Sequence, residues 1–374
     1  MSSLRNPGQL AVAAVRGLAP YVPGKPAAEL ERELGLRDIA KLASNENPYG
    51  PSARSLEAMR AALDRIWLYP DGASHDLKQQ LAQHLRVAPS QITIGNGSND
   101  LLVLLAEAFL TAAHSAVFSQ YGFAIYRIVT QATGARCIEV PALGQDSAMP
   151  LGHDLAAMAG AISEDTRLVF IANPNNPTGT WAPTAQVKAL LERAPASTLV
   201  LLDEAYFEYG RERGTQDGLE WLPEHPNLVV LRTFSKAYGL AGARAGYAVS
   251  HPEVAETLNR LRPAFNVNSV AQAGAAAALE DPTHMRESVE VTMRELVRVE
   301  AALSACGLWS APSACNFLLV RVGARAQQLY EQLLRVGLIV RPVAAYGLPE
   351  YLRISIGLPH ENDRLLRELS ALLR

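Results

Sequence analysis

Lys236 stands in the segment Thr233-Phe-Ser-Lys-Ala-Tyr-Gly-Leu-Ala-Gly-Ala-Arg244, directly after the apolar run at 228–231. A lysine released at the end of a buried strand, among hydroxyls and glycines, can reach into a cleft instead of bulk solvent. Desolvation there lowers its pKa, and the neutral amine is a nucleophile that can capture an aldehyde as an imine. Arg244 follows in the same segment and suits an anion at the same mouth.

Three further apolar runs end in segments with matching chemistry. After 92–94 comes Gly95-Asn-Gly-Ser-Asn-Asp100. Small residues such as Gly97, Ser98 and Asn99 let backbone N–H groups approach an anion, and the N-terminus of a following helix adds a favourable field. An ordinary capped loop would look the same. After 168–172 comes Asn173-Pro-Asn-Asn-Pro-Thr-Gly179, whose prolines hold the path non-helical and present an asparagine amide, unless the segment is a turn alone. After 199–202 comes Asp203-Glu-Ala-Tyr206. A carboxylate at the end of a buried strand needs a partner. A protonated heterocyclic nitrogen, a helix N-terminus or an arginine would each serve. Taken in order, a phosphate loop, an amide turn, a carboxylate with a tyrosine, and a serine-lysine pair with an arginine make one pocket for a phosphorylated pyridine aldehyde.

The elements that must position these groups are legible from hydrophobic pattern. The runs at 168–172, 199–202, 228–231 and 245–249 are continuously apolar, which suits strands buried on both faces of a mainly parallel sheet. Helical stretches between them give the alternation of an α/β fold, and such sheets bind ligands beyond the carboxyl ends of their strands. From about residue 263 the pattern changes to helices at 270–279, 285–305 and 326–336 and strands at 317–320, 338–340 and 352–356, with a terminal helix from 361. The expected division is a large domain at 45–262 and a small α+β domain built from 263–374 plus 1–44, the latter an N-terminal arm with short helices at 7–18 and 29–36.

Composition narrows the class. Net charge is −3, so there is no nucleic-acid footprint. Three cysteines, Cys137, Cys306 and Cys315, show neither CxxC nor zinc spacing and read as buried thiols in a reducing compartment. The eight histidines show no metal-ligand spacing, so no metal is expected. No apolar run reaches the ~18 residues of a membrane span, and Arg16 interrupts the apolar stretch that follows Arg5, so neither an anchor nor a signal peptide is expected. A cytoplasmic enzyme is the expectation.

Over nearly its whole length the sequence resembles the fold-type-I pyridoxal-phosphate aminotransferases, and within them the histidinol-phosphate aminotransferase subfamily. The segments around Lys236 and Asp203 carry the resemblance to the larger family. Tyr21-Val-Pro-Gly-Lys-Pro, Asn45-Glu-Asn-Pro-Tyr-Gly-Pro, Tyr69-Pro-Asp-Gly and Phe265-Asn-Val-Asn-Ser carry it to the subfamily. The resemblance implies that Lys236 carries pyridoxal 5'-phosphate as an imine and then acts as the proton-moving amine. Asp203 would pair with the ring nitrogen, Tyr206 and Asn176 with the ring hydroxyl, and Tyr121 would stack on the ring. Gly97, Ser98, Asn99, Ser235 and Arg244 would hold the cofactor phosphate, joined by Tyr69 from a second subunit, which implies a homodimer with shared active sites. Arg353 and Arg341 would bind the anionic groups of the substrates, with Tyr21 and Asn45 on the substrate side.

The reaction implied is a ping-pong transfer between L-glutamate and imidazole-acetol phosphate, giving L-histidinol phosphate in histidine biosynthesis. Two relatives of the same scaffold compete: aromatic amino acid aminotransferases, and threonine-phosphate decarboxylases. Arg341 separates the first, because a phosphate substrate needs charge beyond one carboxylate clamp. A DNA-binding regulator built on this fold is disfavoured, since residues 1–44 are too short for a winged helix and lack a basic recognition helix.

Overall fold

In the computed structural model, residues 7–373 are described; Arg5 lies outside them. The large lobe is built on a seven-stranded sheet. Its strands run in the order Ile92–Gly95, Gly246–Ser250, Leu228–Thr233, Leu199–Asp203, Thr166–Ala172, Ser115–Ser119 and Arg136–Val140. Every neighbouring pair is parallel except the two made by Gly246–Ser250, which runs against both its neighbours. The inner strands are apolar without interruption because both faces are covered. Period-two alternation sends Val200 and Leu202 to one helical layer and Leu201 to the other. The first layer includes His75–Leu85 and Thr184–Arg193, and the second includes Ser98–Phe109 and Ala124–Ala132.

The small lobe holds a four-stranded antiparallel sheet in the order Arg341–Val343, Leu348–Ser355, Phe317–Arg321, Trp309–Ser310. The helices Pro282–Ala305, Ala326–Arg335 and Pro359–Leu373 share its core. Ala40–Lys41 pairs in parallel with Leu338–Ile339, which ties the N-terminal segment to this lobe.

Packing departs from the sequence pattern in two places. The helix Ser269–Leu279 puts Ala271, Ala275 and Ala278 into the large-lobe core, so this helix packs with the large lobe although it lies after residue 262. The expected helix at 7–18 is a 3-10 turn at Pro7–Leu10 and one helical turn at Ala13–Arg16, neither with a buried residue. So short a helix does not persist without an apolar face to bury.

One glycine joins the lysine loop to the entry loop. Gly239 has φ of +69°, its N–H donates to the Lys236 carbonyl, and a Cβ there would lie 2.3 Å from the Gly50 backbone. Neither the backbone angle nor the contact admits a side chain. Gly239→Ala is therefore expected to destabilise the protein by about 2 kcal/mol or more, read as a fall of several degrees in melting temperature.

Candidate active site

The carboxyl ends of the parallel strands and the small-lobe sheet enclose a cavity of ≈ 270 Å³. Lys236 enters it from the turn after Leu228–Thr233, with Nζ 3.3 Å from the Ser44 carbonyl and 5.5 Å from the Tyr206 ring. Loss of water lowers its pKa from 10.5 to about 8; the positive charges of Arg353 and Arg244 push the same way, and Glu46 opposes them.

Asp203 ends its strand on the face that also carries Leu201, and so points at the helix Ala124–Ala132. Oδ2 accepts from the Tyr126 hydroxyl at 2.8 Å and Oδ1 from the Ala205 N–H at 3.1 Å. Burial raises its pKa; those two donors and the charge of Lys236 hold the rise back. The neighbouring Glu204 is fixed by two bonds from Arg232, at 2.9 and 2.7 Å, and by the Gly218 N–H.

A cup of donors forms at the other end of the cavity. Ser98 opens the helix Ser98–Phe109, and Arg244 Nη1 reaches the Ser235 hydroxyl at 3.2 Å and the Ala241 carbonyl at 3.0 Å. Gly97 has φ of +82°, and a Cβ there would lie 2.3 Å from the Arg244 guanidinium. That close approach admits only glycine and leaves the cup lined with N–H and O–H groups.

Tyr206 is buried, which raises its pKa, and its oxygen accepts from Asn45 Nδ2 at 2.8 Å, so its own proton is free for another acceptor. Asn45 also lines the cavity, but its N–H donates to Ser355 Oγ and its Oδ1 accepts from the same hydroxyl; it is a brace for Tyr206 before it is a substrate contact. Arg353 is 5% exposed and donates to Asn176 Oδ1 at 2.5 Å and the Ala43 carbonyl at 2.7 Å, while its buried Nε has no partner among the described residues. The bond from Arg353 leaves the Asn176 amide nitrogen as that residue's donor. Arg341 donates to the Val22 carbonyl and lies 5.9 Å from the Tyr21 ring, both at the cavity mouth.

Not every expected residue lines this cavity, and Tyr69 was expected only at the cavity of a second subunit. Tyr121 does not line the cavity; its ring packs toward Leu151, Ala311 and Tyr351. Tyr121 sits in a tight turn in which the Gly122 N–H donates to the Ser119 carbonyl. Phe123 and Tyr126 are the aromatic side chains from this segment in the wall. Tyr69 lies outside this chain's own cavity, 82% exposed and stacked on Phe265 at 4.7 Å. The sequence reading missed Phe123, Tyr126 and Ser44; only the two aromatics after a strand end gave a signal. Among the described residues there is no metal-binding cluster, and no helix is long and apolar enough to cross a membrane.

Residues 37–369 match the family described as aminotransferase class I and II. The chain is 51% identical to histidinol-phosphate aminotransferase 2 of Pseudomonas aeruginosa, over 97% of this chain and 98% of that one. It is 48% identical to histidinol-phosphate aminotransferase 1 of Nitrosococcus oceani, over 98% and 97%. Its fold matches the crystal structure of histidinol-phosphate aminotransferase from Sinorhizobium meliloti in complex with pyridoxal-5'-phosphate, with a TM-score of 0.88, 33% identity and 97% of each chain covered.

The depressed Lys236 has a consequence for stability in the cofactor-free protein. Below about pH 8 both folded and unfolded chains carry the charge, and the folded state bears the full penalty of holding it out of water. Between about 8 and 10.5 the unfolded chain binds a proton that the folded chain lacks, so stability rises with pH. Cofactor-free Lys236→Met is expected to exceed the native protein in stability at pH 7 by on the order of 1–3 kcal/mol. The gap should close as pH climbs through that window, measured by denaturant unfolding at fixed ionic strength.

Proposed function

This chain belongs to the class I and II aminotransferases and, at 48–51% identity over nearly its whole length, to the histidinol-phosphate aminotransferases; from that premise we propose that it transfers an amino group between L-glutamate and imidazole-acetol phosphate, giving L-histidinol phosphate, with pyridoxal 5'-phosphate as cofactor. The observation that carries this reading is the single cavity in which Lys236, Asp203, Tyr206, Arg244 and Arg353 meet.

The residues present fit that cofactor. Ser98, Asn99, Ser235 and Arg244 offer hydroxyl, backbone and guanidinium donors in a cup where Gly97 has no room for a side chain, which suits a phosphate. Asp203 offers a buried carboxylate to a protonated ring nitrogen, while the Tyr206 hydroxyl and the Asn176 amide can donate to a ring oxygen. When bound, the cofactor supplies an electron-withdrawing ring that stabilises negative charge at the substrate α-carbon.

The chain's own groups do the rest. Lys236 Nζ, with its pKa lowered to about 8, is partly neutral at physiological pH and takes and returns the α-proton. Arg353, oriented by Asn176 and Ala43, binds a carboxylate. Arg341 at the mouth supplies the second positive charge, which the phosphate of one substrate and the side-chain carboxylate of the other use in turn. Donor and acceptor thus pass through one cavity in succession. The exposed aromatic Tyr69, with Ile66 and Trp67 also exposed beside it, supports a homodimer in which Tyr69 reaches the partner's phosphate cup. The free cysteines accord with a cytoplasmic setting.

Histidinol phosphate is expected to bleach the visible band of the cofactor-loaded protein without added keto acid. Arg341→Ala should lower kcat/KM for histidinol phosphate by roughly ten- to hundredfold while changing that for phenylalanine only a fewfold, by steady-state assay. A native protein that transaminates phenylalanine far faster, or releases carbon dioxide from threonine phosphate, would overturn the substrate assignment. Mixing Lys236→Ala with Tyr69→Ala subunits should regain activity that neither homodimer has, because one site of each hybrid combines native Lys236 with native Tyr69.

A further inference from the structure

Tyr126 has no role in the chemistry described so far, yet it is the one side chain in the structure that donates a hydrogen bond to the Asp203 carboxylate among the described residues. It is 1% exposed, and its ring is fixed on two sides: stacked on Phe170 at 4.7 Å and edge-on to Phe123 at 5.9 Å. Phe170 and Asp203 lie on the same face of adjacent strands, with Ala172 opposite Asp203 in the register. The stack therefore sets the phenol oxygen against Oδ2 and leaves it little freedom to turn away. An O–H held this way at a buried carboxylate has one partner and one orientation.

We propose that Tyr126 is a positioning residue for the transamination: its phenol holds Asp203 as the anion, and through Asp203 keeps the proton on the cofactor's ring nitrogen. The inference rests on the cofactor reading above. Two arrangements compete for the proton between a carboxylate and a pyridine nitrogen, an ionic pair and a neutral one. A donor on the far side of the carboxylate favours the ionic pair. Without it the carboxylate becomes more basic, the proton shifts toward Asp203, and the ring withdraws electrons less strongly. The Lys236 nitrogen in the loaded enzyme then titrates at higher pH. The other groups facing this pair are Tyr346 on the Tyr126 side, Lys236 and Tyr206 on the Asp203 side, and Arg353, Glu46, Arg244 and Cys315 around Lys236. All are unchanged by substitution at Tyr126.

Tyr126→Phe removes the donor and keeps the ring contacts. In the pyridoxal-phosphate-loaded enzyme the pH midpoint of the visible band is expected to rise by roughly half a unit or more. The kcat with glutamate and imidazole-acetol phosphate should fall roughly ten- to hundredfold, with KM changed less than threefold. Melting temperature should stay within about two degrees, since the packing is retained. An unchanged midpoint overturns the proposal, whether kcat is native or falls together with a loss of several degrees in melting temperature, for the latter is the mark of a packing role alone. If the native protein binds the cofactor and the variant titrates identically, this inference alone fails. If the native protein shows no band on addition of the cofactor, the reading of the site fails and this inference with it.

Discussion

The site depends on keeping the Lys236 amine out of water while surrounding it with fixed charges of both signs. Burial and the two nearby arginines favour the neutral amine, and Glu46 opposes them. Glu46 in turn is tied to Lys41 at 2.5 Å, so its charge is partly spent before it reaches the cavity. A half-buried lysine left to itself would be a liability to folding. The Asp203 carboxylate and the donors of Ser98, Ser235 and Arg244 line the same cavity and supply charges that a bound phosphorylated ring would balance.

The fold supplies this arrangement by fixing strand ends more firmly than folding alone requires. Next to Asp203, the buried Glu204 takes both bonds from Arg232, whose guanidinium lies 3.6 Å over the Phe207 ring and also reaches Asp217. That cluster keeps Arg232 charged and pins the turn between Asp203 and Tyr206 on the side away from the cavity. On the cavity side, Asn45 donates to Tyr206 and is itself held by Ser355 at the end of a small-lobe strand. The Asp203–Tyr206 segment is thus clamped from two lobes, and the relation between ring-nitrogen partner and ring-oxygen partner does not rest on one loop.

How much of this was legible in the sequence follows from the range of each interaction. Lys236, Asp203 and Ser98 could be brought together because each follows a recognisable apolar run, with Arg244 in the same segment as Lys236, and the strand ends of a parallel sheet converge by rule. Tyr126 could not, because its bond to Asp203 spans 77 residues and depends on a stack with Phe170 that no local pattern records. Tyr121 was placed by the resemblance and its position after a strand, whereas its ring packs against the cluster that includes Leu151 and Tyr351. The packing of one helix was missed for a related reason. The alanine-rich composition of Ser269–Leu279 reads as a change of domain, whereas its small side chains are what let it lie close against Ala53–Leu63: a Cβ on Gly274 would meet Met59 at 2.7 Å.

Three of the six non-glycine residues with positive φ among the described residues stand where these constraints meet. Asn45, Arg244 and Phe265 all have positive φ without being glycine, at 56°, 65° and 59°. Asn45 holds Tyr206, Arg244 completes the anion cup, and Phe265 carries the Tyr69 ring. Such conformations cost on the order of 1 kcal/mol or more each and persist only where neighbours over-determine them. Asn45 is over-determined by three bonds, from its N–H to Ser355, from Ser355 to its Oδ1, and from Asn316 to its carbonyl. Arg244 is held by its guanidinium contacts to Ser235 and Ala241. Glycine at either position would relieve the strain, but would also delete the side chain that the strained backbone aims. Strain and function are therefore the same feature at these positions: the backbone angle carries a functional side chain into the site, and the hydrogen bonds around it hold that angle.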